Sequence, residues 1–155
     1  MSHTKQLTHL KKDAILKKAI KRVGAFETTF NEDLYLSLMK AIVSQQLSVK
    51  AAATIWQRFL VLFKDGYPHA KILLKMKDDK LRSVGLSYQK AGYLKNIARF
   101  SSEKTLDYAK LRSKPDEELI EYLVEIKGVG RWTVEMLLMF SLNREDILPL
   151  DDLGV

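Results

Sequence analysis

The sequence predicts an all-α fold, a compact multi-helix array, and three observations carry that reading. Apolar residues recur at helical spacing along most of the 155 residues, and no long stretch alternates polar with apolar as an exposed strand would. Only three prolines and seven glycines interrupt the pattern. A hydrophobic content of 46% is enough to fill one core. With no internal repeat or low-complexity linker in view, a single domain over 1–155 is expected.

Lys5 to Val23 read as one basic amphipathic helix with Ile15, Ala19, Ile20 and Val23 inward, stopped by Gly24. Glu32 to Gln46 make a second helix around Leu34, Leu38, Ala41 and Ile42. Ser48 caps a third, which runs through Ala51, Ala52, Ile55, Trp56, Phe59 and Phe63. Lys64-Asp65-Gly66-Tyr67-Pro68 is a turn. Short helices follow at His69 to Met76 and Asp78 to Val84, the second ended by Gly85. Ser87 caps a longer helix with Ala91, Leu94, Ile97 and Ala98 on one face. Ser113-Lys114-Pro115 opens the next, whose positive end Asp116, Glu117 and Glu118 complement. That helix ends at Ile126-Lys127-Gly128-Val129-Gly130. A last apolar helix, Arg131 to Leu142, leads to the loop Asn143 to Pro149 and the pair Asp151-Asp152.

The formal charge of +7, from 26 basic and 19 acidic residues, favours a polyanionic partner such as nucleic acid. With no cysteine, disulfides, thiolate catalysis, zinc–thiolate sites and cysteine-held iron–sulfur clusters are excluded. His3, His9 and His69 show no ligand spacing. The N-terminus MSHTKQLTHLKK lacks an apolar signal core, and no apolar run reaches the ~20 residues of a membrane span. A soluble intracellular protein is expected.

Leu123 to Trp132 is the most informative stretch. Gly128 and Gly130, one residue apart, allow a tight turn whose N–H groups side chains do not screen, and a helix begins directly after it. Those N–H groups and the positive helix end converge on an anion site that suits a DNA phosphate. Lys127 and Arg131 add charge there without reading sequence. Gly-x-Gly alone would indicate no more than a helix cap. The full run of helix, apolar residue, Gly-Val-Gly, basic residue and helix points to DNA.

At these residues the chain resembles the helix–hairpin–helix DNA glycosylases, closest to the 3-methyladenine (alkylbase) branch. Ile126 to Thr133 carries the hairpin, and Leu148-Pro149-Leu150-Asp151-Asp152-Leu153-Gly154 resembles the segment that bears the family's catalytic acid. Upstream, Ala41-Ile42-Val43-Ser44-Gln45-Gln46-Leu47-Ser48-Val49-Lys50-Ala51-Ala52 resembles the segment that fills the gap left by a flipped base.

The resemblance implies a monofunctional hydrolase that flips alkylated purines such as 3-methyladenine out of duplex DNA and cuts their N-glycosidic bond, for base excision repair. Asp152 matches the catalytic carboxylate, set to oppose positive charge on the sugar. An alkylated purine is already cationic and leaves neutral, so no general acid is needed; Asp151 takes a capping role. Trp132 stands where strand-cleaving relatives carry a Schiff-base lysine, so lyase activity is not expected. Trp132, Met136 and Phe140 share one helix face and, with Ser141, form the implied base pocket. The implied DNA-contacting set is Lys127, Gly128, Val129, Gly130, Arg131 and Thr133 at the hairpin, with Gln45, Gln46, Leu47, Ser48 and Lys50 upstream. Gln46 matches the wedge position and Leu47 is the fallback. Backbone carbonyls of Val124, Ile126 and Val129 are implied to hold a monovalent cation, Na+ or K+, and no other cofactor is expected.

Family members continue for several helices past the Asp-Asp-Leu-Gly segment, so the domain is expected to be truncated after the catalytic aspartate, with C-terminal helices missing and activity a property of the full-length chain. The expected protein is a monomer acting on duplex DNA, in a bacterial cytoplasm or nucleoid or a eukaryotic nucleus, without membrane attachment. The rival reading is a non-catalytic helix–hairpin–helix DNA-binding module; a helical protein-interaction domain is a third.

Overall fold

Among the residues the computed structural model describes, 4–24, 30–150 and 152, there are ten helices and no strand. The all-α expectation holds. The chain falls into two compact units, Met1–Phe30 and Asn31–Val155.

In the first unit, the single amphipathic helix expected over Lys5 to Val23 is two helices, α1 (Thr4–Leu10) and α2 (Ala14–Val23). Asp13 makes the break: its carboxylate accepts the N–H groups of Ile15 and Leu16 at 2.8 and 2.9 Å, which starts a new helix. Gly24, at φ +89°, ends α2 as expected. Ile15 and Val23, expected to face inward, are exposed, and α2 buries none of its residues. A unit of this size has little apolar surface of its own with which to cover them.

The second unit is built on α3 (Leu34–Ser44) and α7 (Tyr88–Glu103), which pack against each other. Against α3 lie α4 (Val49–Val61) and α10 (Arg131–Phe140); against α7 lie the short α5 (Ala70–Lys75) and α6 (Asp78–Arg82). Asp33, Ser48 and Ser87 cap α3, α4 and α7 through their side-chain oxygens. Leu38, Met39 and Ile42 of α3, Leu94, Ile97 and Ala98 of α7 and Val134 and Leu138 of α10 are fully buried in one core cluster. At about 1.5–3 kcal/mol for each large side chain removed from water, this cluster holds the two ends of the chain's site on one rigid frame.

The short α8 (Tyr108–Leu111), capped by Asp107, carries too few residues for periodicity to reveal it. The loop after it leads to α9 (Asp116–Val124), opened by Pro115 with three acidic residues in its first turn. α9 and α10 pack together across the turn 125–130, giving the helix–hairpin–helix.

Candidate functional site

The hairpin rests on α7. Gly128 sits at φ +107°, a left-handed conformation, and a Cβ added there would lie 2.2 Å from the Tyr93 ring. Glycine is required at 128 on both counts. Beside it, Asn96 Nδ2 donates to the Lys127 carbonyl at 3.0 Å. Ile126 and Val129 turn their side chains into the core. Gly130 differs from Gly128: its φ of −94° suits any residue and nothing lies within 4 Å of where a Cβ would be. Its lack of a side chain leaves the start of α10 open. Among the described residues the N–H groups of Gly130, Arg131, Trp132 and Thr133 have no acceptor, as the first turn of an uncapped helix leaves them. They form the positive, donor-lined end that an anion would meet.

Arg131, expected to add free charge here, is engaged instead. Its guanidinium pairs with Glu117 of α9 through two nitrogens and with Glu135, one turn along α10, through Nε at 3.0 Å. The Arg131 hydrogen bond holds the Glu117 carboxyl below its ordinary pKa. Arg131 therefore ties the first turns of α9 and α10 together. Lys127 remains exposed on the turn. Val129 offers DNA neither its buried side chain nor its N–H, which is spent on Ile126 O at 2.9 Å. Thr133 keeps its N–H available, but its buried hydroxyl accepts a hydrogen bond from Gln45 Nε2 at 3.3 Å.

A cavity of about 720 Å³ opens where the end of α3 meets α10, lined by Ala41, Ser44, Gln45, Gln46, Leu47, Trp132, Met136 and Phe140. Recurrence at every fourth residue puts the three α10 side chains on one face of that helix, and the cavity is where that face opens. Trp132 Nε1 donates to Asp152 Oδ2 at 2.8 Å, which ties the carboxylate to a ring that lines the cavity. Ser141, expected in the pocket, does not line it; at 4% exposure it is buried in the turn that ends α10, its N–H bonded to Leu137 O. Asp151 lies outside the described residues.

The opposite rim is the turn between α3 and α4. Gln46 there has φ +54°, left-handed for a residue with a side chain, and both it and Leu47 are exposed. Lys90, from the first turn of α7, reaches under this turn. Its ammonium donates to the carbonyls of Val43 at 2.8 Å and Gln45 at 2.7 Å, the last acceptors of α3. Burial lowers its pKa from the ordinary lysine value. Ser48 spends its hydroxyl as the α4 cap, accepting Ala51 N–H, and with Lys50 faces a separate hollow beside Ala51, Thr54 and Ile55.

Of the three carbonyls implied to hold a cation, those of Val124 and Val129 accept no hydrogen bond among the described residues. Ile126 O accepts one, from Val129 N. An all-oxygen donor set with spare lone pairs fits a hard cation. Among the described residues no cluster of histidine and acidic side chains could hold a metal, and no helix is long and apolar enough to cross a membrane. Tyr93, Asn96 and Lys90, which support the site from α7, are not visible in the motifs: their partners are some 31 to 47 residues away in the chain.

Known proteins resemble this chain over most of its length. Residues 39–155 match the family model of the HhH-GPD superfamily base excision DNA repair protein. A DNA-3-methyladenine glycosylase of Schizosaccharomyces pombe is 39% identical over 160 residues, covering 99% of this chain and 70% of that protein. A putative DNA-3-methyladenine glycosylase of Bacillus subtilis is 36% identical over 79% of this chain, which spans 45% of its length. The structure of the Schizosaccharomyces pombe 3-methyladenine DNA glycosylase in complex with abasic DNA superposes with a TM-score of 0.86 at 39% identity, over 97% of this chain and 76% of that one. The chain belongs to the HhH-GPD superfamily of base excision DNA repair proteins.

Proposed function

We propose that this protein excises alkylated purines, 3-methyladenine among them, from duplex DNA as a monofunctional glycosylase that flips the base and hydrolyses its N-glycosidic bond. The observation that carries the reading is the pairing of Trp132 with Asp152 at the wall of an apolar cavity whose rim is the Gln46–Leu47 turn. An extruded cationic base placed in this cavity meets the electron-rich face of Trp132, an attraction of about 0.5–2 kcal/mol. Charge then develops on the sugar as the bond to the base lengthens. The Asp152 carboxylate opposes that charge and orients or deprotonates the attacking water. The base departs neutral, with no general acid required. Position 132 holds no lysine, so no Schiff base forms and the strand stays intact.

Binding precedes this chemistry. The open amides at the start of α10 receive a phosphate, Lys127 adds charge, and Gln46, with Leu47 beside it, enters the space the base leaves. The carbonyls of Val124, Ile126 and Val129 would hold a monovalent cation, whose positive charge would favour phosphate binding at the hairpin. One copy carries hairpin, wedge and carboxylate, so the reading needs no second subunit, and its substrate places it where the cell keeps its DNA.

The test is incubation of the protein with methylated duplex DNA, followed for free base and for strand breaks. Released 3-methyladenine and abasic sites without nicks are expected. Tight, salt-dependent binding with no release would replace the enzyme by a DNA-binding module, and nicking without added base would contradict the absence of a lyase.

A further inference from the structure

The turn that carries Gln46 is an unfavourable piece of backbone held from below. Gln46 adopts a left-handed φ that only glycine and a few polar residues take readily, and its side chain is exposed. The other bonds around it are few: Gln45 N–H to Ala41 O, Leu47 N–H to Ser44 O at 3.2 Å, Ser44 Oγ to Lys40 O at 2.8 Å, the Ser48 cap of α4, and Gln45 Nε2 to Thr133 Oγ1 at 3.3 Å. The carbonyls of Val43 and Gln45 share one side-chain donor, the Lys90 ammonium, 47 and 45 residues further along the chain. Lys90 is itself half-buried and is anchored by its backbone, whose N–H bonds to the Ser87 cap of α7. An ammonium suits this place because it offers three donors from one point, where a guanidinium spreads them over a plane.

We propose that Lys90 is a positioning residue for base flipping: by bridging Val43 O and Gln45 O it holds Gln46 and Leu47 poised at the cavity rim before DNA arrives. Lys90 touches neither base nor phosphate. Its effect is to remove the ordering cost that the wedge would otherwise bear on insertion, and preorganisation of this kind strengthens the step that uses it while leaving other steps alone. This inference rests on the glycosylase reading above, and flipping is therefore read separately from base release.

Lys90→Met keeps the aliphatic stem and removes the donors; Lys90→Gln keeps one donor group and decides the matter should the methionine variant not fold. Flipping is read by the fluorescence of 2-aminopurine next to the target site, and release by single-turnover excision. On a fully paired target Lys90→Met is expected to lower both signals about tenfold, on a mismatched target less than threefold, because a weakly paired base needs less help to leave the stack. The salt dependence of binding stays as in the wild type. In a Gln46→Ala background the Lys90 change adds little further loss, since it acts through a side chain already removed. Equal losses on paired and mismatched targets, full additivity with Gln46→Ala, or wild-type flipping by Lys90→Met would each overturn the proposal. If the protein flips bases but releases none, the glycosylase reading fails while the flipping comparison still judges Lys90.

Discussion

Trp132 Nε1 and Asp152 Oδ2 share a 2.8 Å hydrogen bond, so the ring that lines the cavity also fixes the carboxylate beside it. The link joins two segments of different character, the rigid first turn of α10 and the loop that follows Pro149. A rotation of the indole would move the carboxylate with it. Under the proposed function, this aligns base recognition and charge stabilisation in one unit.

Trp132→Phe tests that link by keeping an aromatic face and deleting the donor. A hydrogen bond to a charged group contributes about 1.5–3 kcal/mol, so the single-turnover rate should fall roughly tenfold to a hundredfold. DNA affinity should stay within about threefold, because the hairpin is untouched. An unchanged rate would mean that the carboxylate is held without the indole.

The two hairpin glycines should separate stability from binding. Gly128→Ala places a Cβ against the Tyr93 ring in a left-handed conformation and should cost about 2–4 kcal/mol, read as a Tm roughly 5–15 °C lower. Gly130→Ala meets open space and should leave Tm within a few degrees while weakening DNA binding, by screening the amides at the start of α10. Equal Tm losses in both variants would contradict this division.

Much of the site is legible in the sequence for one physical reason: helical periodicity fixes which side chains share a face. Trp132, Met136 and Phe140 are spaced to line one side of α10, and the cavity opens along that side. The Gly-Val-Gly turn likewise announces where a helix starts. What the sequence does not reveal is set by long-range pairing. Read along the chain, Glu117 belongs to the positive end of its own helix, yet in the fold it neutralises Arg131, fourteen residues on. Thr133 and Ser141 sit next to site residues in sequence but are turned inward by the same periodicity that turns Trp132 outward. Tyr93, Asn96 and Lys90 lie on a different helix, and no local pattern links them to the hairpin or the wedge.

That pairing separates the two basic residues of the hairpin. Lys127→Ala should lower the slope of log affinity against log salt by about one, with no loss of stability, as for a lysine that meets a phosphate. Arg131→Ala should leave the slope near its wild-type value and lower Tm by a few degrees, because Glu135 is buried and loses its partner. A large fall in slope for the arginine variant alone would show that it leaves its carboxylates on binding DNA.

Gln46→Ala should lower excision from a paired duplex more than from one whose target base is mismatched, by about a factor of five or more. Gln46→Gly relieves the left-handed backbone and should raise or hold Tm while showing the same loss of excision. Matching losses on both substrates would remove the wedge role from this side chain.

Asp152→Asn is the most direct test of the catalytic assignment. Asparagine keeps the shape and can still accept from Trp132, but it carries no charge to oppose the cationic sugar. Single-turnover release of 3-methyladenine should drop by at least about a hundredfold, while affinity for an abasic-site duplex stays equal or rises, since a negative charge has been taken from the neighbourhood of phosphates. A folded Asp152→Asn protein that releases 3-methyladenine at the wild-type rate would contradict it.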